Sequence, residues 1–312
     1  MAFDTWRHRF AVATVAATLV LIFIGGLVTS TGSGLSVPDW PLSYGMVMPP
    51  MVGGVFYEHG HRMAATTVGL LTLALAVWTA RAEARRPIRR LAWAALAAVV
   101  TQGVLGGITV LYLLPTPVSV AHACLAQVFF CIVIAIATAT SSEWISAAPT
   151  DDVSGLRVAA AAATVSAFAQ LVLGAVMRHI GAGLAIPDFP TSFGRWAPPL
   201  DSTPVAVHFA HRIGALVVVA CVIRLLAAAM RADDRRFRRP ALLLTALVLV
   251  QVGLGAATVL TGKAVTPTTA HVALGAAVLG SCWWMTLRAF RLLRPAAVAA
   301  TATDSVREPL PS

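Results

Sequence analysis

Eight apolar stretches, each about as long as a bilayer is thick, run through the chain near residues 10–28, 59–80, 91–113, 118–140, 157–177, 206–230, 241–261 and 268–290. Roughly 20 apolar residues in helical form cross the hydrocarbon core. In that medium backbone N–H and C=O groups have no water to bond, and a helix satisfies them within one segment. The expected fold is therefore all-α: a polytopic membrane protein with eight transmembrane helices. Composition agrees, with 58% of the 312 residues hydrophobic and 12% charged. The first stretch has the position of a secretory signal. It is long and no small-residue cleavage site follows it, so it is expected to remain as the first helix.

The net charge of +10 comes from arginines grouped by connection. Arg7 and Arg9 precede the first stretch, and Arg81, Arg85, Arg86, Arg89 and Arg90 lie between the second and third. Arg231, Arg235, Arg236, Arg238 and Arg239 lie between the sixth and seventh, and Arg288, Arg291 and Arg294 close the eighth. The alternate connections hold Arg178, Arg195 and Lys263. This is the positive-inside pattern, which places both termini in the cytoplasm of a cell whose inner membrane the chain crosses. The connection over 141–157 departs from it, with Glu143, Asp151 and Asp152 against Arg157. A nucleic-acid partner is not expected, because the charge alternates by loop and does not gather on one face. Cys124, Cys131, Cys221 and Cys282 all fall within apolar stretches. No disulfide framework is implied, and they read as small packing residues.

The chain also repeats itself. "GSGLSVPDWPLSYG" at 32–45 returns as "GAGLAIPDFPTSFG" at 181–194, with eight of fourteen positions identical. "HRMAATTVGLL" at His61 answers "HRIGALVVVA" at His211. "QGVLGGITVL" at Gln102 answers "QVGLGAATVL" at Gln251, and "AHACLAQ" at Ala121 answers "AHVALGA" at Ala270. The expected organisation is two four-helix halves, 1–145 and 157–294, joined by a linker at 146–156 and followed by a disordered cytoplasmic tail at 295–312. Four is even, so both halves enter the membrane the same way, and a pseudo-two-fold axis runs along its normal. Each repeated loop leaves the outer end of the first or fifth helix. It is too long for a simple connection and is expected to fold as a cap over its own half.

Four of the eight histidines obey the repeat. His61 and His122 are 61 residues apart, and His211 and His271 are 60 apart. Each is expected about one turn inside the outer end of an even-numbered span. Two imidazoles at equal depth on neighbouring helices suit bis-histidine ligation of a haem iron. A zinc site lacks its third and fourth ligands. Ionisable groups within spans are costly and mark functional sites. Arg62 and Arg212 follow the first ligand of each pair and suit a haem propionate, since a guanidinium matches a carboxylate; snorkelling to headgroups is the alternative. The methionines lack repeat register and read as packing. The repeats disagree at Glu58, which lies three residues before His61 where the second copy has His208. A carboxylate one turn from a ligand shares its helix face and can accept a proton during oxidation. His8, His59 and His179 have no repeat partner and read as interfacial residues. Asp39 and Asp188 are expected to initiate turns in the loops.

At these residues the chain resembles the haem A synthase family, membrane enzymes that convert haem O to haem A. The resemblance spans 5–294 and rests on the "PDWP" and "PDFP" loops, the "EHGHR" and "HFAHR" helix entries, and the late "AHACL" and "AHVAL" histidines. It implies that His61 and His122 hold the substrate haem O, that His211 and His271 hold a permanent haem b, and that Glu58 is the catalytic glutamate. The implied reaction oxidises the C8 methyl group of haem O to a formyl group through successive water-derived hydroxylations. Haem A then serves terminal oxidases. The implied partners are a haem O synthase that delivers substrate, an electron acceptor outside the chain, terminal oxidase assembly factors and the bilayer. Homo-oligomerisation is left open. Many members carry a cysteine pair in the outer loops; this chain has none at 29–57 or 178–206, so no thiol role carries over. The main rival is a di-haem b electron-transfer cytochrome with no substrate. A repeat-built transporter is disfavoured because the polar groups cluster near the outer ends of the spans and not at the midplane.

Overall fold

The computed structural model describes residues 3–295, and nearly all of them are helical. The long helices are α1 (Thr5–Ser30), α2 (Gly54–Ala82), α3 (Arg86–Leu111), α4 (Thr116–Ala139), α6 (Leu156–His179), α7 (Thr203–Arg231), α8 (Arg235–Leu260) and α9 (Val265–Leu292). All eight are long and apolar enough to cross a membrane. Each begins before its apolar stretch because capping and helical hydrogen bonding continue into polar sequence. Asp4 accepts from the Arg7 N–H at the start of α1, and Asp234 accepts from Arg236 at the start of α8, each satisfying a backbone donor that the helix leaves unpaired. Proline stands in the first turn of α3, α4 and α7, where its missing N–H costs nothing.

The helices form two closed rings. In the first, α1 packs on α2 and α4, and α3 packs on the same two; in the second, α6 and α8 each pack on α7 and α9. The rings meet where α1 and α4 lie against α9 and where α4 lies against α6. Small residues line much of the packing, including Ala92 and Ala95 on α3 and Ala159, Ala160 and Ala163 on α6. They let backbones approach closely, which in a bilayer is a main source of helix association.

Both clusters of fully buried apolar side chains sit toward the arginine-rich end. One gathers Leu156, Leu225, Phe237, Leu244, Met285 and Leu292; the other gathers Ala11, Leu75, Ala92, Phe129, Val133 and Ile136. That end also carries two sets of buried ion pairs. Glu83, just past α2, is 2% exposed and binds Arg7 at 3.2 Å and Arg85 at 2.8 Å. Arg85 continues to the Ala139 carbonyl. Arg288 of α9 pairs with Glu143 at 2.7 Å.

The connection between the rings is more structured than a polar linker. Its first part is a short helix, α5 (Ser142–Ser146), and β1 (Thr150–Asp152) then pairs in parallel with β2 (Leu293–Pro295) beyond α9. Asp152 turns back to accept from the Leu156 and Arg157 N–H groups, capping α6. The expected tail therefore begins inside β2 at Pro295; its remainder, 296–312, lies outside the described residues.

Candidate functional site

The four repeat-matched histidines lie about two turns inside their helices, not one, because α2, α4, α7 and α9 start further out than the apolar pattern indicates. The ring packing decides what they face. Helices α2 and α4 are not packed neighbours; each touches α1 and α3. His61 and His122 thus come from diagonal helices of one ring, and His211 and His271 from the diagonal pair α7 and α9 of the other.

Each imidazole rests against a glycine of the neighbouring helix. A β-carbon at Gly25 of α1 would stand 3.1 Å from His61 Cε1, and one at Gly106 of α3 would stand 3.4 Å from His122 Cε1. Gly174 of α6 and Gly255 of α8 stand likewise at 3.0 Å from His211 and 3.1 Å from His271. All four distances are at or inside the tight limit of ordinary contact, so a larger residue would push the ring out of place. These glycines escaped the sequence reading, although Gly25 and Gly174, and Gly106 and Gly255, hold matching places in the repeat.

The residues present fit a haem in each ring. None of the four histidines is fully buried although the helices around them are apolar, and the buried core stops on the arginine-rich side of them. Among the described residues no three His, Cys, Asp or Glu side chains converge to hold a bare metal ion. Two imidazoles on diagonal helices suit a planar iron porphyrin, which brings four ligands of its own. The groove of about 410 Å³ lined by Ala80, Arg86, Arg89, Arg90 and Trp93 lies at the opposite end and contains none of these histidines.

The two pairs are held differently. His271 Nδ1 lies 3.1 Å from the Gln251 carbonyl oxygen, so Nδ1–H donates and Nε2 keeps its lone pair. That arrangement orients a ligating imidazole and raises its basicity. Gln170 of α6 donates to the His211 carbonyl at 2.8 Å and its Nε2 lies 3.2 Å from His211 Nδ1. In the first ring Gln102 donates to the His122 carbonyl at 2.9 Å. The Nδ1 atoms of His61 and His122 are buried without a protein partner, and the place of Gln170 in the repeat falls to Leu21.

The repeated loops, 31–53 and 180–202, fold back over the outer ends of α2 and α7. Asp39 accepts from the Tyr44 and Gly45 N–H groups, as Asp188 does from Phe193 and Gly194. Both aspartates initiate turns, as expected. These donors, that of Gly45 first for Asp39 and that of Gly194 first for Asp188, hold both carboxyls below the usual range. Arg62 and Arg212, expected at propionates, are placed on the loops. Arg62 donates to the carbonyls of Asp39 and Leu42 at 2.8 and 2.7 Å, and Arg212 to those of Asp188 and Thr191 at 2.6 and 2.7 Å.

Glu58 and His208 occupy one structural slot. Glu58 is 4% exposed; its Oε2 accepts from the Val37 N–H at 2.9 Å and its Oε1 from Arg62 at 2.7 Å. His208 Nδ1 accepts from the Ile186 N–H at 3.2 Å. Val37 and Ile186 are the same loop position in the two copies. His59 corrects the interfacial expectation. It is 6% exposed, with Nδ1 2.8 Å from Ser43 Oγ, because the loop folds down over it. His8 instead meets the Ala137 carbonyl at the arginine-rich end, and His179 bonds back to the Ala175 carbonyl.

Comparison with known proteins is consistent along the whole bundle. The family model described as cytochrome oxidase assembly protein matches residues 8–53 and 51–283. A protein named Heme A synthase from Symbiobacterium thermophilum is 34% identical over 79% of this chain and 83% of its own length. Proteins of the same name from Halalkalibacterium halodurans and Geobacillus kaustophilus are 30% and 28% identical, covering 81% and 93% of this chain and 87% and 94% of theirs.

Proposed function

The chain belongs to the cytochrome oxidase assembly protein family, and from that premise we propose that it is a haem A synthase that oxidises the C8 methyl group of haem O to a formyl group. The reading is supported above all by the two histidine pairs on diagonal helices, each ring 3.0–3.4 Å from where a β-carbon would stand on the glycine it faces. Two such sites in one chain suit one substrate haem and one resident haem.

The halves 1–145 and 157–294, related by a pseudo-two-fold axis, divide the work. His61 and His122 take haem O, and His211 and His271 hold haem b. The contrast in ring support favours that division: His271, its Nδ1 held on the Gln251 carbonyl, suits a permanent ligand, and the first pair, with neither Nδ1 partnered by protein, suits a molecule that must leave. The resident haem b supplies a one-electron relay when bound. Turning a methyl into a formyl group with water as oxygen source releases four electrons and four protons. The electrons leave to a membrane acceptor outside the chain. Glu58 takes protons and assists water attack; the reading is supported by its being the only carboxylate of the "EHGHR" entry, one turn from His61. Arg62 and Arg212 keep the loops closed over the two sites through the loop carbonyls they bind. The chain sits in the cell's inner membrane with both termini cytoplasmic and the haem sites near the outer face. Haem O synthase supplies its substrate, and assembly factors of the terminal oxidase receive haem A.

Co-expression with a haem O synthase, followed by extraction and mass analysis of the haems, tests the reading. Haem A is expected. Two unmodified haems in the purified protein and no haem A would establish the rival, a di-haem electron-transfer cytochrome.

A further inference from the structure

Resting on the reading of the first ring as a porphyrin site, we infer that Arg178 of the second ring is a carboxylate-binding residue for the haem held by His61 and His122. Arg178 stands in the last turn of α6, the turn that reaches the outer end of the bundle. It is half-buried, and among the described residues it forms no ion pair. Its one hydrogen bond to another element is a long one, from NH2 to the Gly26 carbonyl of α1 at 3.4 Å. A guanidinium withdrawn from water and left with one weak acceptor is costly unless an anion joins it.

Among the described residues no carboxylate pairs with Arg178, and the one at that end without an ion pair or hydrogen bond of its own, Asp201, is exposed in the second loop. Glu58 is held by Arg62 and Val37, and the carboxylates of Asp39 and Asp188 are engaged by their loop N–H groups. Arg62 and Arg212 are in turn bound to loop carbonyls. Arg178 is thus a cation free to meet a ligand carboxylate in the forked geometry that guanidinium favours.

Position assigns it to the first ring. Gly26 adjoins Gly25, the glycine under His61. The neighbouring His179 carbonyl accepts from Thr116 Oγ1 at 3.4 Å, in the first turn of α4, the helix that carries His122. Both side-chain hydrogen bonds that join this turn to other helices are therefore with the helices of the first site. A second polar group lies at the same seam: Thr269 Oγ1 of α9 is buried without a partner, and its methyl would stand 3.4 Å from a β-carbon at Gly26.

The test uses purified full-length protein carrying its resident haem, titrated at the first site with iron protoporphyrin IX and, separately, with the dimethyl ester in which both carboxylates are blocked. Wild type should bind the free acid more tightly. Arg178→Gln should lose about ten- to hundredfold of that preference, the range of one charge-assisted hydrogen bond, while binding of the ester hardly changes. Arg178→Lys, which keeps charge without the fork, should fall between, and it carries the test alone if the Gln variant does not fold. An unchanged preference in both variants would overturn the inference. A changed spectrum of the resident haem with an unchanged first-site titration would also overturn it, by placing the carboxylate in the other ring. No binding of either porphyrin at a first site in wild type would overturn the underlying haem reading and this inference with it.

Discussion

At residues 58 and 208 the two repeats perform one mechanical task with different chemistry. Both side chains accept the N–H of the same loop position, Val37 or Ile186, and so latch a loop to a helix. A latch needs an acceptor, which a neutral imidazole supplies as well as a carboxylate; the charge of Glu58 is surplus to that one bond, and its structural use is the 2.7 Å pair with Arg62. This separates two functions by experiment. Glu58→His transfers the second repeat's latch into the first. It should leave protein yield and the low-spin spectrum of the second-ring haem unchanged while haem A formation falls about 10²–10⁴-fold, the usual loss with a general base. Glu58→Gln, which still accepts from Val37, should behave alike. Near-normal haem A from the His variant at equal protein level would reduce Glu58 to a latch.

At the scale of the element, helix pairs depend on glycine at four places and, at the arginine-rich end, on buried charge. Gly174→Val would drive a side chain into the His211 ring, which a β-carbon alone already approaches to 3.0 Å. The second-ring haem spectrum should disappear from purified protein. Gly25→Val should spare that spectrum and abolish haem A formation, since it displaces His61 only. Identical spectra for the two variants would mean that the rings are not separate sites. At the arginine-rich end, Arg85 and then Arg7 hold the Glu83 carboxyl down from 4.5 to about 2. A depressed carboxylate stabilises the fold above its unfolded pKa and loses that contribution as pH falls through the folded one. Thermal stability in detergent should therefore decline from about pH 4.5 toward pH 2. Glu83→Gln should remove that acid step and cost about 3–5 kcal/mol at neutral pH, because it leaves Arg7 buried without its partner. A flat acid profile in wild type would contradict the ion-pair assignment.

For the molecule as a whole, the two ends differ in what fills them. The arginine-rich half is closed by apolar packing and ion pairs, and the other half is lined by histidines and capped by loops. This polarity predicts orientation. Single cysteines placed in 32–45 or 181–194 should react with a membrane-impermeant thiol reagent on intact cells, and cysteines in 81–90 should react only after lysis. Labelling of 81–90 in intact cells would invert the protein in its membrane.

Eight spans, the repeat and the four ligand candidates were legible in the sequence because each rests on local physics. A helix in lipid satisfies its own backbone, so apolar length alone announces it; a histidine that recurs in register across two copies of a span needs no fold to be noticed. Span ends were misjudged by several residues, since caps such as Asp4 and Asp234 lie in polar sequence that hydropathy discounts. The partners of the polar groups were beyond reach. Arg62 reads as a propionate ligand until the loop carbonyls arrive from 20 or more residues away, and Glu143 reads as an anomaly of charge until Arg288 meets it from 145 residues on. The pairing of β1 with β2, the burial of His59 and the diagonal placement of the histidine helices have the same origin. Each depends on which segments the folded chain brings together, and a polar atom takes the nearest available acceptor in space, a distance that spacing along the chain does not measure.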